Sequence, residues 1–266
     1  MIDAELKGKI PEVQNREDIL TSNYFGLIKY CTMRTFSHAF LSAARSLKGE
    51  QFNISCIPDN WDFELIFWPR FHDNSEPDLL LLIKDTSLQI KYLFLIEVKY
   101  FSQQNMYSVS YEFESHKYEN QLSREFFNLF QVKNIGQFEI AKDAKRFLIY
   151  LTADYSLPSD NFISAINEIK RYEKINPSNY FLWMSWYNLY DELNNNIGIL
   201  DLKEFELSIL SDLSDYLKAK NFWSFTGFSS YSRQCKRFEY FFYPKKIIFD
   251  WEMECCKPTY CFFSKK

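Results

Sequence analysis

The stretch EPDLLLLIKDTSLQIKYLFLIEVKYF, residues 76–101, decides how the rest of the chain is read. Two dense apolar runs, Leu79 to Ile83 and Tyr92 to Ile96, flank the polar segment KDTSLQIK. Short continuous apolar runs bounded by turn signals fit central strands covered on both faces. The polar segment leaves room for a slightly extended hairpin turn. Pro77-Asp78 opens the first run, and Glu97-Val98-Lys99 closes the second. Side-chain alternation puts Glu97 and Lys99 on one face of their strand and Val98 on the other. An antiparallel hairpin then brings Asp78, at the start of one strand, beside the end of its partner. Three charged groups therefore converge at one end of an apolar sheet. Unpaired burial of such charges is costly, so they need each other or a cation.

The Glu-x-Lys string by itself carries almost no weight. It recurs at Glu5-Leu6-Lys7 and Glu168-Ile169-Lys170, with Asp201-Leu202-Lys203 as the aspartate version, and Pro58-Asp59 repeats the proline-aspartate pair. Those copies fall on expected helices, termini or loops, where charges face water. Only Asp78, Glu97 and Lys99 stand at the ends of paired apolar strands.

Outward from the hairpin, Asn15 to Lys48 reads as helix. Leu20, Tyr24, Leu27, Ile28, Cys31, Phe36, Phe40 and Leu41 form its core-facing stripe, and Gly49 its stop. Trp61, Phe63, Leu65 and Phe67 alternate as in a strand with one wetter face. Downstream, the pattern predicts a helix over Ser115–Val132, a buried strand over Arg146–Thr152 and a helix over Pro158–Lys174 with Phe162, Ile163, Ile166 and Ile169 inward. A strand over Tyr180–Tyr187 and a helix over Leu202–Ala219 complete it. The fold class is α/β, a mixed layer architecture without internal repeats.

The character changes near residue 220, so residues 1–220 are read as one domain and 221–266 as an appended extension or subdomain. Residues 222–266 carry eight Lys/Arg against four Asp/Glu, with an aromatic residue at about every third position. Arg233, Lys236, Arg237, Lys245 and Lys246, interleaved with Tyr231, Phe238, Tyr240 and Tyr243, could grip phosphates and stack on bases. The plainer reading makes the aromatics a core and the cations its solvated rim. The same aromatic density fits a homodimer interface.

Composition bounds the answer. A chain of 266 residues, 47% hydrophobic and 19% aromatic with only six glycines, can bury a large core and is not low-complexity. No run reaches the ~18 apolar residues that span a bilayer. MIDAELKGKI lacks a signal-peptide layout, so the expected location is cytoplasmic, with the cysteines reduced. A net charge of −4 argues against a passive nucleic-acid coat but permits a local basic groove. His38, His72 and His116 show no metal spacing; His116, beside Lys117, is a candidate to approach substrate. Cys235, Cys255, Cys256 and Cys261 include no CxxC pair and suit a zinc site poorly.

With EPDLLLLI and YLFLIEVKYF in place, roughly residues 15–155 resemble the PD-(D/E)xK nuclease superfamily, the restriction-endonuclease-like fold. Its core is a helix, a three-stranded meander, a helix and a further strand. The resemblance implies a mixed central sheet flanked by helices, and Mg²⁺ or Mn²⁺ held by Asp78 and Glu97. It makes Lys99 the group that orients or activates the attacking water, with the Val98 carbonyl as a further ligand. Many members add a glutamate from the first helix. Glu17 is the candidate, with Glu12 and Asp18 close enough to compete, and its plainer role is a first-turn carboxylate favoured by the helix dipole. Many also add a glutamine from the helix after Glu-x-Lys, for which Gln121 in YENQLSREFF is the candidate, its plainer role being a residue on the helix surface. Here the following aromatic, Phe126, falls outside the spacing of that pattern and Glu125 stands nearer. The chemistry is consistent: Mg²⁺ prefers hard oxygens and keeps several waters, and it acidifies a bound water beside a phosphate. The implied partner is nucleic acid, DNA above RNA. The alternative is a catalytically silent module of the same fold.

Overall fold

A computed structural model describes residues 17–100, 118–132, 134–135 and 138–223. All belong to the first of two units into which the chain divides, Met1–Ser224.

The hairpin forms where the two apolar runs lie. Strands β3 (Leu79–Lys84) and β4 (Ile90–Val98) pair antiparallel, with Leu79 opposite Ile96 and Leu81 opposite Phe94. They complete a meander with β2 (Asp62–Phe67), which pairs antiparallel with β3. Beyond β4 the sheet turns parallel, through β6 (Phe138–Thr152) and then β7 (Phe181–Ser185). The two-residue β1 (Arg45–Ser46) closes the far edge antiparallel to β7, and β5 (Asn134–Ile135) pairs with the start of β6. The result is a mixed six-strand sheet in the order β1-β7-β6-β4-β3-β2, with β5 beside it.

Both faces are covered, which is why these strands are apolar at every position rather than at alternate ones. Leu79, Leu81, Ile83, Phe94, Ile96 and Val98 face one core. That core also holds α1 (Glu17–Ile28), α2 (Met33–Ala39), α5 (Trp186–Ile197) and α6 (Glu204–Ala219). Leu80, Leu82, Leu93 and Leu95 face the other, under α3 (Gln121–Gln131) and α4 (Ser159–Tyr172). Each fully buried leucine contributes about 1.5–3 kcal/mol, so a register slip that exchanged the faces would be heavily penalised. Among the described residues no helix is long and apolar enough to cross a membrane.

Four sequence expectations change. The long first helix breaks into α1 and α2, because the Glu206 carboxylate takes both the Thr32 N–H and the Thr32 hydroxyl at 2.8 Å, and Thr32 caps α2. Leu41–Ala43 then form a 3₁₀ turn rather than more α-helix. The strand expected over Tyr180–Tyr187 ends at Ser185, whose hydroxyl caps α5 by accepting the Tyr187 N–H. On α4, Phe162, Ala165 and Ile169 face inward, and Ile163 is 54% exposed.

Candidate active site

The C-terminal end of β4 gathers side chains from both layers. Asp78 immediately precedes β3, and its Oδ2 accepts the Val98 N–H at 2.8 Å. The loop before it is fixed from α3: Asn128 Nδ2 donates to Asp73 Oδ2 at 2.8 Å and to Ser75 Oγ at 2.7 Å. Trp68, at the loop's start, donates its N–H to the Asp78 carbonyl at 3.0 Å. Asp78 is 8% exposed and Glu97 2% exposed. Glu97 lies opposite Tyr150 of β6, and the Lys99 N–H extends that parallel ladder to the Leu151 carbonyl at 2.7 Å.

Lys99 Nζ lies 2.6 Å from Glu97 Oε1 and 3.1 Å from Glu17 Oε1. Glu17 Oε2 also accepts the Tyr100 N–H at 3.1 Å, so the first residue of α1 is tied to the end of β4 twice. From the opposite layer, Gln121 Nε2 donates to Glu97 Oε1 at 2.6 Å and to Glu125 Oε1 at 3.0 Å. Gln121 is held in place by the start of α3. Asn120 caps that helix, and the Glu168 carboxylate accepts the Glu119 and Asn120 N–H groups at 2.7 and 3.1 Å. Glu168, expected to face water, thus fastens α3 to α4.

Crowding of acids in an apolar setting shifts their protonation. Burial, then the nearby Glu97 carboxylate, pushes Asp78 up to about 8 against the pull of the Val98 N–H and Lys99. Burial and Glu125 drive Glu97 well above the usual carboxylate range. Burial likewise pushes Glu125 up to about 7, opposed by hydrogen bonds with Glu97 and Gln121. Burial works against the Lys99 ammonium, but Glu97, Glu17 and Asp78 outweigh it and hold the lysine firmly charged. The Tyr150 phenol is pushed up to about 12, chiefly by burial, and accepts a hydrogen bond from Asn161 Nδ2 at 3.2 Å.

The donor set suits a hard divalent cation: carboxylate oxygens from Asp78 and Glu97 at a sheet end. Glu125 Oε2 is buried without a hydrogen-bond partner among the described residues, an acceptor left over in the same cluster. Among the described residues no three His, Cys, Asp or Glu side chains form a ready-made metal cluster. Lys99 Nζ and Gln121 Nε2 close on Glu97 Oε1 instead. Mg²⁺ commonly uses only one or two protein carboxylates and fills its shell with water, so two oxygens at this position are chemically sufficient.

The structure thus brings Glu17, Asp78, Glu97, Lys99 and Gln121 together. Asp18 stays exposed at the first turn of α1. Val98 meets the site through its N–H. Glu12, His116, Arg233, Lys236, Arg237, Lys245 and Lys246 lie outside the described residues. His72 is exposed on the loop before Asp78, and His38 lines a separate cavity of about 480 Å³ with Ser42, Glu192 and Asn196. Sequence reasoning missed Glu125, Tyr150 and Asn128 as parts of the site. Glu125 and Asn128 follow Gln121 at helical spacings of one and two turns, a signal available only once Gln121 is known to face inward. No family model, curated protein or solved structure matches the chain.

Proposed function

We propose that the chain is a divalent-metal-dependent nuclease of the PD-(D/E)xK, restriction-endonuclease-like kind, hydrolysing phosphodiester bonds of nucleic acid, DNA above RNA. One observation carries this reading: Asp78 and Glu97 stand at the same end of adjacent strands, with Lys99 Nζ between Glu97 and Glu17. The order of α1, the β2–β3–β4 meander, α3 and a parallel β6 supports it, being the order that such a site requires.

In this reading Asp78 and Glu97 hold Mg²⁺ or Mn²⁺, which supplies an acidified water and offsets charge on the phosphate. Glu97 presents its carboxylate through the fixed register of β4 with β6. Lys99 lends positive charge at the attacked phosphate and orients the water. Glu17 positions Lys99 and the Tyr100 backbone, while Gln121 orients Glu97 from above.

The test uses purified full-length chain with plasmid DNA, linear duplex, single-stranded DNA and RNA, each with Mg²⁺ or Mn²⁺. Glu97→Ala and Lys99→Ala are expected to lower cleavage by about 100-fold or more, the scale of losing a group that stabilises transition-state charge. Manganese titration followed by electron paramagnetic resonance should show a bound ion in the wild type and none in Asp78→Asn. Cleavage that survives both alanine changes sinks the assignment.

A second reading, a silent nuclease-fold module binding nucleic acid or a protein, is favoured by one feature. Lys99 is pinned between two carboxylates, and no three-residue ligand cluster stands ready among the described residues. Nucleic-acid binding without manganese binding or cleavage would select it.

A further inference from the structure

The ends of the three parallel strands carry a connected set of rings that the carboxylate site does not use. Tyr100 follows Lys99 directly and meets Phe222 edge-on, with ring centroids 5.5 Å apart. Phe222 meets Tyr187, at the start of α5, at 5.3 Å and 82°. Tyr187 in turn stacks on Tyr155, just beyond β6, at 3.9 Å and 21°. Phe222 is buried, and Tyr155 is 75% exposed. The loop bearing Tyr155 is anchored by Ser185 Oγ, which donates to the Asp154 carbonyl at 2.6 Å.

The anchoring and the stack together make Tyr155 a preset platform rather than a loose surface ring. A tyrosine left this exposed exerts no hydrophobic drive for its position, yet it lies nearly parallel on its neighbour with its outer face toward solvent. A flat aromatic partner fits that face, and stacking on it is insensitive to base identity because every base presents a π-face. The ring contacts lead from Tyr155 through Tyr187 and Phe222 to Tyr100, the residue next to Lys99. An internal base can lie on Tyr155 only if it is unstacked from a neighbour, because a duplex otherwise offers a free face only at its terminal pair.

Resting on the nuclease reading above, we propose that Tyr155, backed by Tyr187, stacks an unpaired nucleobase of the substrate strand, and that the site acts on nucleic acid with a single-stranded segment beside the attacked phosphate.

The experiment uses the full-length chain with Ca²⁺ in place of Mg²⁺. The probes are a single-stranded DNA 15-mer, carrying 2-aminopurine at one position at a time, and its blunt duplex. Wild type is expected to quench 2-aminopurine at one or two positions and to bind the single strand more tightly than the duplex. Tyr155→Phe should keep both properties. Tyr155→Ala, a change at an exposed position, should lose the quenching and weaken single-strand binding roughly 5- to 100-fold. Wild-type affinity and quenching in Tyr155→Ala overturn this proposal and leave the nuclease reading standing. Failure of the wild type to bind either probe overturns both.

Discussion

Gln121 Nε2 lies 2.6 Å from Glu97 Oε1, and through this one amide the helical layer over β4 touches the carboxylate that ends it. The same nitrogen reaches Glu125 Oε1 at 3.0 Å, so both of its protons are directed at acids. A flipped amide would set its oxygen against the same two carboxyl groups, an arrangement that needs a proton on one of them to donate.

Gln121→Ala should therefore cost about 1–3 kcal/mol, the range for removing a donor from buried acceptors. Urea unfolding of the variant checks this. Gln121→Glu should be worse at pH 8 than at pH 5, because it adds a third carboxyl at the same point.

The acid cluster makes stability depend on pH in an unusual direction. Asp78 is pushed up to about 8 and Glu97 also rises, both far above unfolded carboxylates. The folded chain therefore holds more protons than the unfolded chain between about pH 4 and pH 8, so this contribution is full below pH 4 and lost as pH rises through 8. In EDTA the urea midpoint should fall from pH 5 to pH 8. Asp78→Asn should flatten that slope, and Mg²⁺ should raise the midpoint most at pH 8. An unchanged slope in Asp78→Asn would contradict the coupling.

Glu206 shows the opposite sign at a structural joint. Burial raises its carboxyl, but hydrogen bonds from the Thr32 N–H, the Thr35 and Thr32 side chains and the Lys203 N–H overcome that and hold it below the ordinary value. Its contribution is present above the unfolded value and disappears as pH falls through the folded one. Glu206→Ala should cost about 1.5–3 kcal/mol near pH 7, the scale for hydrogen bonds to a charged group, and less below pH 4. Unfolding curves at pH 7 and pH 3.5 decide it.

Leu88, in the turn between β3 and β4, has φ of 63° and is 59% exposed. A leucine in the left-handed region is strained, and nothing gained from burial offsets that strain. Leu88→Asn should stabilise the chain by up to about 1 kcal/mol without changing activity, since Asn tolerates this conformation. Thermal unfolding measures the gain.

The hairpin was legible because Leu79–Ile83 and Tyr92–Ile96 are apolar at consecutive positions, and Asp78, Glu97 and Lys99 because they interrupt that apolarity at one end. What escaped depends on partners distant in sequence. Thr32 is itself a helix-capping residue type, but the acid that pins it, Glu206 on α6, is distant in sequence. Ser185 looks like one more residue in the apolar run FLWMSWYNLY, yet its hydroxyl ends a strand and starts a helix. Glu125 carries a charge on an otherwise amphipathic helix, so its pattern places it in water. Only its packing against Gln121 and Glu97 shows it to be buried.

The turn that strains Leu88 lies at the far end of β3 from Asp78. Six residues separate them, about 20 Å of extended chain. At that tip Asp85 gathers the Ser87 and Gln89 N–H groups, and Lys84 pairs with Glu64 at 3.0 Å, contacts that involve no residue of the acid cluster. One hairpin thus has a chemical end and a mechanical end. The tip is a natural handle: a tag, a fluorophore or a cut-and-rejoin point placed between Thr86 and Leu88 should leave the acid cluster untouched.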